Sequence, residues 1–371
     1  MTDSHSNNSH NRKRRRKKKK SNALLKVLLV IAAVVAIGYF AIGAIADRMY
    51  VKGEEVDEDI RTAAELQGDV MHILVCGIDW EEDRTSANTD VIMYVTLDIK
   101  GKKVSAFQIP RDTYIGDDVK TGGSGKINGV YGKNGNKNPI MDLAKTVNDK
   151  LGLPVDHYAT LDMEAFIKMV DGIDGGLDMY VPFEIVLKDK NTGKTETIIP
   201  EAGWYKVSGE LAEQIVRNRN YPNRDIQRLE VQKYFYASVI KYFMENTSVS
   251  DFIKIMSRFT THLTTDMHWT EIASIAQFGL SLDYADMTIV KPSLHGYDVI
   301  KEGKTSATNI LVAEGENWAR LLNEYCRPYS DDISAADLKI PTQPPKGEIV
   351  RDHGVTQSTI TTIGDLLQSA K

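Results

Sequence analysis

Four arginines, Arg217, Arg219, Arg224 and Arg228, fall within twelve residues of the stretch VRNRNYPNRDIQRLEVQ. The chain beyond residue 46 holds twelve arginines in all, so one window carries a third of them. Pro222 and Asn223 divide that window into a helix end, a loop and a new helix start. The cations therefore surround a helix N-terminus, where unbonded N–H groups also favour an anion. Asp225, Arg228 and Gln232 follow at spacings of three and four, on one face of the new helix. A guanidinium fork matches two phosphate oxygens at once, and several forks in one place call for a ligand with more than one negative charge. A diphosphate fits. A solvated helix face would explain the charge but not the turn set among the arginines.

A second constellation lies far upstream. The stretch GIDWEEDRTSANTDVIMY puts Asp79 just past one apolar run and Asp90 just before the next. Two carboxylates at adjoining strand ends suit Mg²⁺, which takes one or two carboxylate oxygens and completes its shell elsewhere. Taken singly, each is an ordinary turn aspartate. QIPRD adds Arg111 and Asp112 at the end of the following strand, and GSGKIN adds Lys126 and Asn128. The latter is not a P-loop, because Ile127 stands where a metal-binding hydroxyl is needed and the glycine spacing is wrong. GGSG is better read as a flexible loop that delivers Lys126. The eight histidines are scattered and the two cysteines, Cys76 and Cys326, form neither a zinc pattern nor a disulfide framework.

Sheet and helix signals alternate around these residues. ILVC (73–76), the pair of runs in DVIMYVTLDIKGKKVSAFQI, HYATL, LDMYVPFEIVL, MTIV and NILV read as strands. A helix is predicted over 139–151, with Asn138 as N-cap, Pro139 first and Gly152 as its stop. Others are predicted over 162–170, from Ser208 to Arg217, from about Asp225 through Tyr242, and over about 250–263 and 270–281. This interleaving predicts a layered α-β-α domain, a central mixed sheet flanked by helices.

Charge divides the chain. Residues 1–46 carry a formal +9 against −5 for the whole, which leaves −14 on the remainder. Residues 1–22 read as a basic cytoplasmic tail, and 23–46 as a transmembrane helix containing twenty successive uncharged residues, Val27 to Ala46. Cations on its N-terminal side hold that end in the cytoplasm. Residues 47–70 read as a polar stalk, 71–327 as the extracytoplasmic domain, and 328–371 as a polar, Pro-rich tail expected to be loosely ordered in part. An acidic domain beyond a membrane argues against nucleic acid as a partner.

The segments ILVCGID, NTDVIMYVTLD, QIPRD, KINGVYG, FIKMVDGIDGGLDMYVP, VSGELAEQIVRNRN and DIQRLEVQ, in this order over about residues 70–245, resemble the LytR–CpsA–Psr family. The resemblance implies a membrane-anchored enzyme on the outer face of the cytoplasmic membrane. It would move a glycopolymer, such as a teichoic acid or a capsule polysaccharide, from a polyprenyl-diphosphate carrier to peptidoglycan. By motif match, Asp79 and Asp90 would hold Mg²⁺, with Mn²⁺ as an alternative. Arg111, Arg217, Arg219 and Arg228 would grip the diphosphate, helped by Lys126 and oriented by Asp225 and Gln232. Asp112 or Asp225 would accept the proton of the attacking hydroxyl, and the sequence does not choose between them. Asn88 stands where the family usually carries an arginine. A polyprenyl-diphosphate pyrophosphatase and a non-catalytic lipid-diphosphate-binding regulator of the envelope are the alternatives.

Overall fold

The computed structural model describes residues 51–79, 88–132, 138–188, 192–218, 220–221, 224–248 and 262–370. The basic tail, the apolar run 23–46, Arg219 and most of the helix predicted near 250–263 lie outside the described residues, and of Arg224 and Asp225 the backbone alone is described. Among the described residues no helix is long and apolar enough to cross a membrane.

Strands β1 (Val51–Lys52), β2 (Val70–Asp79), β3 (Asn88–Asp98), β4 (Lys103–Gln108) and β5 (His157–Asp162) precede two antiparallel pairs, one enclosed by the other. These pair β6 (Leu177–Val181) with β9 (Gly203–Val207), and β7 (Ile185–Lys188) with β8 (Thr195–Ile199). Then come β10 (Leu263–Thr265), β11 (Thr288–Lys291), β12 (Leu294–Lys301), β13 (Thr308–Ala313), β14 (Gly347–Thr356) and β15 (Thr359–Thr362). The central sheet has eight strands in the order β1-β10-β5-β2-β3-β4-β11-β15, and a three-stranded sheet runs β13-β12-β14. β2 and β3 pair antiparallel while β2 and β5 pair parallel, so the central sheet is mixed.

The helices are α1 (Asn128–Tyr131), α2 (Pro139–Leu151), α3 (Met163–Asp171), α4 (Gly209–Arg217), α5 (Arg224–Asn246), α6 (Trp269–Leu280), α7 (Gly315–Cys326) and α8 (Ile363–Ser369). Side chains alternate across a strand, and the two faces of β2 and β3 take different partners. Leu74, Cys76, Ile92 and Tyr94 pack against α2 and α7, in a core that includes Leu143 and Trp318. Val75, Gly77, Val91 and Met93 look the other way, towards α3 and α5. This is the expected α-β-α layering.

The predicted caps are in place. Asn138 accepts a hydrogen bond from Met141 N at 3.4 Å, and Gly152 ends α2 at φ 66°. Ser208 accepts from Leu211 N at 3.3 Å, which starts α4 and so places Arg217 at its end. Three expectations change. LDMYVPFEIVL is two strands, β6 and β7, with Pro182 between them and no N–H there to extend a ladder. The polar stalk is part of the domain from β1 on, because Val56 and Ile60 are buried among the core residues. The tail beyond 328 supplies β14, β15 and α8, and Ile363 and Leu366 on α8 are buried beside Ile289 while Ile349, Val350, Val355 and Ile360 stay exposed. Both segments look polar on average because only isolated positions anchor them.

Candidate functional site

Asp79 closes β2 and is 7 % exposed. Its ladder partner is Asn88, then Ile78 pairs with Thr89 and Gly77 with Val91, so Asp90 is the extra residue of a β-bulge. Strict alternation from Val91 would turn Asp90 to the face of Ile92. A bulge adds one unpaired residue and re-aims its side chain, and Asp90 lines the cavity together with Val91.

Beyond the end of β4, Ile109 N still donates to Ile92 O at 2.9 Å, so the chain stays beside β3 and brings Arg111 to Asp90. Arg111 Nη1 donates to Asp90 Oδ1 at 2.6 Å, and its Nε lies 3.7 Å from Asp112 Oδ2. Lys126 Nζ donates to Asp112 Oδ1 at 2.9 Å from behind. On the opposite side Arg217 Nη2 donates to Asp79 Oδ1 and its Nη1 to Glu213 Oε1, both at 2.8 Å. Burial works against the charge of Arg217, but the Glu213 bond with Asp79 and Asp90 nearby outweighs it and holds the guanidinium above its ordinary value.

Arg228 and Gln232, one turn apart on α5, are buried and line the same cavities as Asp90. Gln232 Nε2 donates to Val216 O at 3.3 Å, which ties α5 to the end of α4 beside Arg217. Thus Asp79, Asp90, Arg111, Asp112, Lys126, Arg217, Arg228 and Gln232, predicted from segments scattered over 150 residues, occupy one neighbourhood. Arg219 and the side chain of Asp225 lie outside the described residues.

Beneath this cluster, between the sheet and helices α3 and α5, is a cavity of about 340 Å³. Its walls include Val75, Met93, Ala106, Phe166, Phe235 and Val239, and its polar rim is Asp90, Asp162, Arg217, Arg228 and Gln232. A second apolar cavity of about 280 Å³ lies towards α6, and Val75 lines both. An anion-binding rim over an apolar hollow matches a ligand that is itself divided into a charged head and an apolar chain.

Among the described residues of the cluster, four cations (Arg111, Lys126, Arg217, Arg228) stand with four carboxylates (Asp79, Asp90, Asp112, Glu213). Formally they balance. The donor chemistry of Asp79 and Asp90 fits Mg²⁺, a hard cation that needs only one or two carboxylates when phosphate and water complete its shell. No group of three or more His, Cys, Asp or Glu side chains converges among the described residues, which sets this pair apart from a closed transition-metal cage.

Sequence reading missed several neighbours. Glu213 was visible in principle, four residues before Arg217 on one helix face. Asp162 lies at the cavity rim with His262 Nδ1 2.8 Å away, a pairing across 100 residues that no local pattern announces. Gln108 closes the small cavity shared by Arg111 and Arg228, and only the fold places it there.

Similar proteins place the chain in a family. Polyisoprenyl-teichoic acid–peptidoglycan teichoic acid transferase TagV of Bacillus subtilis strain 168 is 30% identical over 210 residues, 55% of this chain and 52% of that protein. The chain spans about half the length of the curated relatives it matches at close to 30% identity. The crystal structure of B. subtilis TagV superposes with a TM-score of 0.57 at 23% identity, covering 71% of this chain and 99% of that one. The structure of TagT bound to LIIa-WTA gives 0.52 at 20%, covering 78% and 98%. At these identities the structural likeness is one of fold. With the family model matching residues 41–317, well over half of its length, the chain belongs to the LytR_cpsA_psr family.

Proposed function

We propose that the protein transfers a glycopolymer from a polyprenyl-diphosphate carrier to a hydroxyl of peptidoglycan, forming a phosphodiester. One observation carries the reading: arginines and carboxylates from separate segments ring the mouth of a 340 Å³ apolar cavity. The head of such a carrier would lie on Arg111, Arg217 and Arg228, and its isoprenoid chain in the hollow below. The relatives named as teichoic acid transferases support the same substrate class.

In the proposed reaction the acceptor oxygen bonds to the glycan-side phosphorus, and the bond from that phosphorus to the bridging oxygen breaks. The bridging oxygen departs with the polyprenyl phosphate. Arg111, Arg217 and Arg228 position both phosphates and stabilise the charge that develops on the leaving oxygen. Asp79 and Asp90 would hold Mg²⁺, which supplies Lewis-acid stabilisation of phosphoryl oxygens when bound. Asp112 is committed to Lys126 and Arg111, which favours an orienting role and leaves Asp225 as the candidate proton acceptor. The apolar run 23–46 would anchor the chain, with the domain outside the cytoplasm.

Incubation of the protein with carrier-linked glycan and peptidoglycan tests the reading. Wall-linked glycan phosphate is expected. Free glycan phosphate without a wall-linked product would identify a pyrophosphatase instead, and binding without turnover a regulator.

A further inference from the structure

The three-stranded sheet β13-β12-β14 carries none of the arginines or aspartates above, yet it grips the segment that delivers two of their partners. Leu311 on β13 donates from N to Asp112 O at 3.0 Å and accepts from Tyr114 N at 2.8 Å, so residues 112–114 run alongside that strand. The loop that follows is glycine-rich, and Gly116, Gly122, Gly123 and Gly125 all have positive φ. Such a backbone has much freedom to lose. Gly125 N donates to Thr121 Oγ1 at 2.7 Å and Ile115 N to Gly125 O at 2.8 Å, which pins the end of the loop. The stretch before it must still be held for Lys126 to keep one place.

Lys301, the last residue of β12, does this by geometry. It is 9 % exposed, and its Nζ donates to Asp117 Oδ1 at 2.5 Å, Gly123 O at 3.1 Å and Ser124 O at 3.2 Å. An ammonium has three hydrogens, and all three are spent on this loop. The same nitrogen sits 5.6 Å from the centroid of the Tyr114 ring. Two residues beyond Ser124, Lys126 Nζ meets Asp112 Oδ1, and Asp112 Oδ2 lies beside Arg111.

We infer that Lys301 is a positioning residue for the anion site: it clamps the glycine loop so that Lys126 meets Asp112, which sets Arg111 against Asp90. A lysine that merely stabilised the small sheet would need no carbonyl partners in this loop. The clamp deepens the diphosphate reading and rests on it for its consequence, but its existence can be tested without any ligand.

The experiment compares Lys301→Ala and Lys301→Arg with the wild-type chain. With an acylating amine reagent and hydrogen exchange as probes, Lys301→Ala should raise the labelling rate of Lys126 and the exchange of residues 116–126 by about tenfold, the equivalent of one charge-assisted bond. Exchange in β2 and β3 should not change, and Lys301→Arg should restore protection. In a second arm, farnesyl diphosphate binding is measured for Lys301→Ala, Lys126→Ala and the pair. Each single variant should bind about tenfold more weakly, and the double variant no more weakly than Lys126→Ala alone. Unchanged Lys126 labelling in Lys301→Ala, or losses that multiply in the double variant, overturns the inference. If the wild-type chain does not bind farnesyl diphosphate, the diphosphate reading fails, and the labelling result still decides the clamp.

Discussion

Arg111 and Asp90 are joined at 2.6 Å, and Arg217 is joined to Asp79 in the same way at 2.8 Å. Each proposed metal carboxylate is therefore already in the hands of a proposed phosphate ligand. A cation on the aspartates would release the guanidiniums towards the diphosphate, so the two ligands should bind with reciprocal coupling. Calorimetric titration with farnesyl diphosphate is expected to give about 10- to 100-fold tighter binding with Mg²⁺ present. Asp90→Asn should remove most of that gain. A diphosphate affinity indifferent to Mg²⁺ would refute the metal assignment.

The arginines should not be equivalent to surface charge. Losing a hydrogen bond to a charged group costs about 1.5–3 kcal/mol, on the order of ten- to a hundredfold in affinity. Arg111→Ala and Arg228→Ala are each expected to weaken farnesyl diphosphate binding by that much. Arg320, on α7 and paired with Glu324 at an exposed position, serves as the control, and Arg320→Ala should change little. Equal losses at all three positions would reduce the cluster to a diffuse electrostatic effect.

How much of this was written locally can be judged residue by residue. Asn138, Pro139 and Gly152 bound α2 where their backbone chemistry says they must, and Ser208 with Arg217 bounds α4. The carboxylates at two strand ends and the arginines around a turn were legible because charge at such places is rarely needed for packing. The bulge at Asp90 was not legible, since one extra residue in a ladder leaves no mark on the alternation of VIMYV. Nor was Lys301, whose partners lie about 180 residues away. The order of the last forty residues escaped for a related reason: β14 is exposed along most of its length, and a few buried contacts of β15 and α8 secure the segment.

The hollow beneath the arginines gives a prediction about chain length. Each buried methylene contributes about 0.8 kcal/mol, so a five-carbon isoprenyl unit that enters should improve affinity by about tenfold when partly buried and up to about a thousandfold when fully buried. Pyrophosphate, geranyl diphosphate and farnesyl diphosphate are expected to bind in rising order. Ala106 lines the cavity floor from β4, and Ala106→Phe would fill the space an alkyl chain needs. That variant should lose the dependence on chain length while still binding pyrophosphate. A flat series in the wild-type chain would mean that the cavity is not the lipid site.

Asp156 offers a test of what secures the chain before β2. Its Oδ1 accepts from Thr62 N at 2.8 Å, and its Oδ2 from Thr62 Oγ1 and His72 N at 2.7 Å each. Burial alone would raise the carboxyl, but the bonds from His72 and Thr62 prevail and hold it below the usual aspartate range. A group whose folded value is depressed contributes stability that is complete above its unfolded value, about 3.9, and fades as pH falls through the folded value. Asp156→Asn is therefore expected to cost about 1.5–3 kcal/mol near pH 7, the worth of bonds to a charged acceptor. Urea unfolding of both chains should show that gap at pH 7 and a much smaller one near pH 2–3. A gap of equal size at both pH values would mean that the shape of the side chain, and not its charge, holds residues 62 and 72 together.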